Sequence, residues 1–209
     1  MSLVQTENRV ILRGVVDGEA AFSHQVHGID FFRFPLSVPR LSGREDRINV
    51  LLSASLSELP RPGRFVEVEG EVRSFNNRSG VGSKLVITVL ARSVSPGTGQ
   101  PCNRVFLTGT LCKEPVFRRT PLGRDICDLL LAVNRRYRRA DYLPCIAWGT
   151  LARECGELET GDALRIDGRL QSRAYLKTVG EITQERTAYE ISITSLSFPE
   201  LSPWEEDPV

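Results

Sequence analysis

Aromatic rings and arginines alternate along one stretch of this sequence, between positions 135 and 177. Tyr137 lies between two arginine pairs, Tyr142 and Trp148 follow six positions apart, and Tyr175 has a basic residue two positions away on either side. Flat rings beside cationic groups can stack nucleobases and neutralise phosphates at the same time. The candidate polynucleotide-binding residues are therefore Tyr137, Tyr142, Trp148, Tyr175, Arg135, Arg136, Arg138, Arg139, Arg173 and Lys177.

A different interpretation places Tyr142 and Trp148 in a hydrophobic core and leaves the arginines as solvated loop charges. Six is an even separation, so an unbulged strand points both rings to the same face. Because rings and arginines fall together in this stretch, we favour a binding face over a packed core.

Residues for catalysis or metal binding do not form a working arrangement in the sequence. His24 and His27 have no cysteine or carboxylate at ligand spacing, and the five cysteines contain no Cys-x-x-Cys pair. The run Gly-Val-Gly-Ser-Lys at 80–84 faintly resembles a phosphate loop, but no helix follows it, and it predicts a hairpin turn. The sequence therefore predicts no enzyme, no metal and no cofactor.

The composition is that of a globular protein, with 209 residues of which 41% are hydrophobic and 25% charged. No apolar run approaches the roughly 20 residues of a membrane-spanning helix, and positions 1–20 lack a secretory signal. The net charge of +1 divides into +5 over residues 1–199 and −4 over residues 200–209. The basic body favours a polyanionic binding partner and no membrane partner. The odd number of cysteines predicts a protein of the reducing cytoplasm.

One domain pattern is present twice, at a separation of 95 residues. The run Asn-Arg-Val-Ile-Leu-Arg-Gly at 8–14 returns as Asn-Arg-Val-Phe-Leu-Thr-Gly at 103–109, and later runs repeat at the same or a slightly longer offset. A repeat this long is a duplicated domain, because solenoid units measure roughly 20 to 50 residues. The predicted domains are residues 1–97 and 102–198, followed by a short acidic tail at 199–209.

Alternation of apolar and polar residues predicts five strands in each copy. The expected strands are 8–17, 30–39, 47–53, 64–75 and 83–94, then 103–112, 125–137, 141–149, 163–175 and 186–198. One short helix is expected at 150–158, between strands three and four of the second copy, whereas Pro60 and Pro62 prevent it in the first. The predicted fold class is all-β, with two tandem five-stranded Greek-key barrels of the oligonucleotide-binding (OB) type.

The first copy lacks the aromatic residues of the second. Ser42, Arg47, Ser53 and Asn77 stand at the positions of Tyr137, Tyr142, Trp148 and Tyr175. Its consecutive phenylalanines, Phe31, Phe32 and Phe34, are expected to pack inside the barrel. Six basic residues of this copy could still follow a phosphate backbone, namely Arg40, Arg44, Arg47, Arg73, Arg78 and Lys84.

Five separated runs of the second copy, at 103–109, 114–123, 131–136, 147–152 and 166–170, resemble bacterial single-stranded DNA-binding proteins in the order of that family. The resemblance covers residues 102–198 and weakens over residues 1–97. It implies that the four base-stacking positions of the family fall on Tyr137, Tyr142, Trp148 and Tyr175. It also implies that the protein coats single-stranded DNA without sequence preference, in replication, recombination or repair.

Members of this family assemble four barrels, so the resemblance implies a homodimer of two-barrel chains, with a monomeric pseudo-dimer as the alternative. The ending Glu-Glu-Asp-Pro-Val at 205–209 resembles the family's partner-recruiting tip, but lacks its long spacer and terminal phenylalanine. Two other functions stay open. One is a primosome-like adaptor that mainly docks replication proteins, and the other is RNA binding, because stacking does not distinguish the sugars.

Overall fold

The computed structural model describes residues 6–77, 84–179 and 182–199. The first half contains strands β1 (Glu7–Val16), β2 (Ala21–Val26), β3 (Ile29–Pro39), β4 (Glu45–Ser53), β5 (Phe65–Asn76) and β6 (Leu85–Pro96). The second half contains β7 (Cys102–Leu111), β8 (Val116–Arg119), β9 (Asp125–Arg135), β10 (Arg139–Trp148), β11 (Ala163–Val179) and β12 (Ile182–Ser197). Helix α1 (Thr150–Gly156) lies between β10 and β11, and a 3₁₀ turn (Arg136–Arg138) lies between β9 and β10.

Each half closes into a barrel of five strands. In the first half the ring of paired strands runs β1, β3, β4, β6, β5 and back to β1, and in the second it runs β7, β9, β10, β12, β11 and back to β7. The pairs β4–β6 and β10–β12 are parallel, and the other pairs are antiparallel. The predicted fold of two tandem five-stranded OB barrels is therefore confirmed.

Strands β2 and β8 were not predicted. Each pairs only with the outer edge of one barrel strand, β3 or β9, and every residue of both strands is exposed. The segment that carries His24 and His27 is thus a hairpin. Among the described residues, no three histidine, cysteine or carboxylate side chains lie close enough to hold a metal ion.

The barrel interiors follow from the predicted alternation. Along β5 the buried residues are every second one, including Val66, Val68 and Val72, while the residues between them face outwards. Glycine allows β1 to close against β3 and β7 against β9, since a Cβ on Gly109 would lie 2.5 Å from the carbonyl oxygen of Ala132. The prediction for the phenylalanines was right for Phe34, which is fully buried, and wrong for Phe31 and Phe32, which are partly exposed.

Helix α1 was predicted at 150–158 and ends two residues earlier, at Gly156. Ala152 and Cys155 are its buried side chains, and they pack into the second barrel's core. Residues 54–64 of the first copy contain no helix, as Pro60 and Pro62 predicted. The described ranges hold one α-helix, of 7 residues, which is far too short to cross a membrane.

The two barrels join edge to edge through β1 and β7, which pair antiparallel over seven residues. At the centre of this pairing Val10 lies opposite Val105, its own counterpart in the repeat. Such self-matching is the geometry of a two-fold interface between identical subunits. The chain therefore forms a pseudo-dimer of barrels.

Candidate nucleic-acid interface

The four candidate rings lie outside the hydrophobic cores. Tyr137 is 92% exposed, Tyr142 50% and Trp148 42%, and Tyr175 is partly exposed. The pairing of β10 with β9 is continuous from Arg139 to Trp148. Tyr142 and Trp148 therefore share the outer face of β10, as their even spacing predicted.

Two of the grooves between the barrels contain candidate residues, and each takes one wall from either barrel. The Tyr137 groove is lined by Glu71, Arg73 and Arg92 of the first barrel and by Arg135, Arg136, Tyr137 and Arg139 of the second. The Trp148 groove is lined by Arg40, Ser42, Arg44 and Glu45 of the first barrel and by Arg118, Arg124, Trp148, Arg169 and Arg173, among others, of the second. The grooves are related by the repeat, because Arg40, Ser42 and Arg44 correspond to Arg135, Tyr137 and Arg139.

The ring of Tyr137 projects into solvent because of its backbone. This residue sits in the 3₁₀ turn with φ 61° and ψ 37°, in the left-handed region that residues with a side chain rarely adopt. The turn ends β9 two residues earlier than predicted and presents the tyrosine outside the sheet. Rare backbone conformations of this kind cluster at functional sites.

The arginines around Tyr137 are not equivalent. Arg136 and Arg139 are exposed, and neither has an ion-pair partner among the described residues. Arg135 instead lies with its Nε 3.2 Å from a carboxylate oxygen of the fully buried Asp141. Its charge is therefore already balanced inside the protein.

The opposite wall of the Tyr137 groove contains an ion-pair network. Glu71 pairs with both Arg73 and Arg92, and Arg73 also donates to Asp141 at 2.9 Å. Burial lowers the pKa of Arg73 below its usual value, although the hydrogen bond that Arg73 donates to Asp141 counteracts this effect. The guanidinium stays charged, because arginine is not deprotonated in proteins.

The Trp148 groove carries more unpaired positive charge. Arg44, Arg124 and Arg173 are exposed and have no ion-pair partner among the described residues. Ile126 and Ile146 lie beside Trp148 and are buried without belonging to the barrel core. The groove therefore combines an indole, an apolar floor and free guanidinium groups.

Tyr175 continues the Trp148 groove along β11. The pairing of β11 with β12 has no irregularity beyond Gly168, so alternate residues share a face. Arg173 lines the groove, and Tyr175 follows two positions later on the same face. Of the remaining candidates, the side chains of Arg138 and Lys177 lie outside the described parts of the structure.

Two buried carboxylates tie the barrels together in a mirrored way. Asp46 of the first barrel accepts a hydrogen bond from the backbone nitrogen of Ser172 at 2.8 Å, and Asp141 of the second accepts one from Ser74 at 2.7 Å. Each serine hydroxyl then accepts from the residue after the aspartate, Arg47 in one case and Tyr142 in the other. Each aspartate also pairs with an arginine of its own barrel, Arg40 or Arg135. These links hold both groove walls in place.

The sequence did not identify every groove residue. Arg118 and Arg124 were missed because β8 carries no alternation and could not be placed next to Trp148. Arg169 was missed because it lies on a strand of the barrel wall and its role depends on contacts with Asp46. Of the first copy's basic residues, three line the grooves, namely Arg40, Arg44 and Arg73. Arg47 pairs with Asp17, and Arg78 lies outside the described residues.

The fold and its outer face define a class of protein: paired OB barrels with exposed rings and guanidinium groups in the grooves between them. Comparison with known proteins finds a family that matches the second barrel. Residues 102–199 match the model of the single-strand binding protein family. This match covers the second barrel and confirms the resemblance predicted from the sequence.

Individual relatives agree with this assignment. Single-stranded DNA-binding protein A of Bacillus subtilis (strain 168) is 38% identical over 86 residues, which cover 38% of this chain and 50% of that protein. Single-stranded DNA-binding protein 2 of Listeria innocua is 37% identical over 86 residues, covering 38% of this chain and 54% of its own. The chain thus spans about half the length of the curated relatives it matches.

Both barrels together resemble solved structures of a single-stranded DNA binding protein. The crystal structure of wild-type single-stranded DNA binding protein from Thermus aquaticus covers 97% of this chain and is itself covered to 98%, with a TM-score of 0.76 and 25% sequence identity. The likeness extends over the first barrel, where the family motifs are weak, and supports the two-barrel arrangement as a whole.

Proposed function

We propose that this protein binds single-stranded DNA with little sequence preference, by stacking bases on exposed rings and neutralising phosphates with arginines. The observation that carries the proposal is the Trp148 groove, where a partly exposed indole lies among unpaired guanidinium groups. The relatives are named for the same activity. Residues 102–198 form the main binding domain in this proposal, and the protein catalyses no reaction.

The expected strength follows from the residues that line the grooves. Each stacked base contributes roughly 1 to 3 kcal/mol. Five exposed arginines in the grooves have no ion-pair partner among the described residues: Arg44, Arg124, Arg136, Arg139 and Arg173. If all five neutralise phosphates, the logarithm of the affinity falls with the logarithm of salt concentration at a slope of about −3.5, from about −0.7 per contact.

A fluorescence titration with oligo-dT at several salt concentrations tests the proposal. Binding should quench Trp148, and Trp148→Ala should weaken the binding of dye-labelled oligo-dT, measured by fluorescence anisotropy, by about 1 to 3 kcal/mol. Phe117→Ala is the matched control, because Phe117 is 47% exposed in the same barrel but lines neither groove. A salt slope near zero, or equal affinity of Trp148→Ala and wild type, contradicts the proposal and favours the adaptor function. Equal affinity for matched RNA oligomers favours RNA binding instead.

Assembly and recruitment are further parts of the proposal. Two chains would form a homodimer with four barrels, and the acidic tail would contact replication or repair proteins in the cytoplasm. Sedimentation at several protein concentrations tests the dimer, and a single species at the mass of one chain contradicts it. Residues 200–209 of the tail lie outside the described residues, so its role rests on the resemblance alone.

A further inference from the structure

Two rings form a stacked pair on the β2–β3 hairpin of the first barrel. The imidazole of His24 lies on the ring of Phe31, with centroids 5.1 Å apart and planes inclined by 4°. Phe31 is partly exposed beneath it, and His24 is exposed. The pair therefore presents one flat aromatic face to solvent, on the barrel that has no aromatic residue at the positions of Tyr142 and Trp148.

Strand register places this pair at the equivalent of the Trp148 site. In the second barrel Trp148 lies opposite Ile126, which lies opposite Arg118, in a row across β10, β9 and β8. In the first barrel the same row across β4, β3 and β2 reads Ser53, Phe31 and His24. In the first barrel the aromatic residue therefore lies on the neighbouring strand, at the position that corresponds to Ile126 rather than to Trp148.

The direction of the side chains supports this equivalence. Phe34, Leu36 and Val38 are fully buried inside the first barrel, and the pairing of β3 with β4 is continuous from Phe31 onwards. Phe31 and Arg33 therefore point to the outer face, as Ile126 does in the second barrel. A one-residue irregularity in β2, between Phe22 and His24, turns the imidazole to that face.

We propose that the Phe31–His24 pair is a second base-stacking platform, which lets the first barrel bind the same single strand as the second. This inference rests on the proposed function. Arg33 is exposed, lies about 7 Å further along the strand from Phe31, and has no ion-pair partner among the described residues. A ring and a free guanidinium group thus share one face, as they do in the Trp148 groove.

The length of the DNA oligonucleotide distinguishes binding at this platform from binding at the Trp148 site. A dT strand of about 8 nucleotides fits within the range covered by one OB barrel, and we expect it to occupy the Trp148 groove. A strand of about 35 nucleotides can reach both barrels by the same measure. Phe31→Ala should weaken binding of the long strand by about 5-fold to 150-fold, the loss of one stacked base, and leave the short strand unaffected. Phe31→Tyr should keep the wild-type affinity.

Phe22→Ala is the matched control. Phe22 is a 60% exposed ring on the same hairpin, but it lies opposite Phe32 in an edge-to-face contact, on the face turned away from Phe31. We expect Phe22→Ala to bind both strands as the wild type does. An equal loss in Phe22→Ala and Phe31→Ala overturns the platform, because the hairpin as a whole would then be responsible.

The outcomes separate this inference from the proposed function. If Trp148→Ala weakens binding and Phe31→Ala does not, the platform is refuted and the proposed function stands. If neither variant changes the affinity, the proposed function fails as well. Should Phe31→Ala fail to fold, crosslinking of the wild-type protein to a long strand that carries 5-iodouracil replaces it. The tryptic peptide 14–33 is expected among the crosslinked products, and its absence overturns the inference.

Discussion

The clearest structural prediction concerns the buried carboxylate of Asp141. It is fully buried and accepts hydrogen bonds from the backbone nitrogen of Ser74 at 2.7 Å and from Arg73 at 2.9 Å, both in the other barrel. It also lies 3.2 Å from Arg135. Asp141→Asn removes the charge, keeps the volume, and leaves two guanidinium groups without their shared anion.

The expected loss of stability follows from the burial of Asp141 and of its two arginine partners. Removing one partner of a buried ion pair costs about 3 to 5 kcal/mol. The side chains of Arg73 and Arg135 are 16% and 30% exposed, so they regain some hydration in the variant. We therefore expect the free energy of unfolding to fall by about 3 kcal/mol, which lowers the Tm by about 6 to 12 °C in a chain of this size.

Differential scanning calorimetry measures this effect, and Asp128→Asn is its control. Asp128 pairs with Arg118 at 2.8 Å on the surface, where the two side chains are 39% and 53% exposed. Such a pair contributes about 1 kcal/mol at most. A Tm for Asp141→Asn no lower than that of Asp128→Asn would refute the assignment of Asp141 as a link between the barrels.

Three other variants or measurements test separate features. Gly109→Ala should destabilise the second barrel by about 1 to 3 kcal/mol in urea unfolding, because its Cβ would lie 2.5 Å from a backbone oxygen; Gly156→Ala, whose Cβ has 3.4 Å of room, should be neutral or stabilising. The Arg153 guanidinium holds the pKa of Asp125 below its usual range, so this carboxylate stabilises the fold above its unfolded pKa of about 3.9 and loses that effect as the pH falls through the folded value. Carbon-13 NMR titration should show the pKa of Asp125 rising in Arg153→Gln, and an unchanged pKa contradicts the pairing. Burial raises the pKa of Cys155 to about 12, so a thiol reagent at pH 8 should label it only after unfolding, as mass spectrometry of the labelled peptides would show.

Local patterns predicted the barrels well. The repeat at 95 residues and the period-two alternation are carried by residues that face the core, such as Val66, Val68 and Val72, so the ten barrel strands and the duplication could be read directly. Strands β2 and β8 were missed because they are exposed on both faces and have no alternation to detect.

The sequence also predicted that Tyr142 and Trp148 share one face of their strand, because they lie an even number of positions apart. It favoured the outer face over the core because arginines accompany the rings. Contacts between residues far apart in the sequence could not be predicted. The links from Asp46 to Ser172 and from Asp141 to Ser74 join residues 126 and 67 positions apart, and nothing local marks them. Phe31 was assigned to the core because it stands among other phenylalanines, although its odd separation from the buried Phe34 turns it to the outer face of β3.

The barrels that meet where Val10 pairs with Val105 belong to one polypeptide, and this covalent connection changes how the pseudo-dimer responds to dilution. Two separate barrels meeting through their first strands would come apart as the protein concentration falls, whereas barrels on one polypeptide face an effective local concentration in the millimolar range. The association then no longer requires the two halves to be identical. Each barrel can carry different residues at related positions, as Ser53 and Trp148 illustrate, and the two barrels still remain associated.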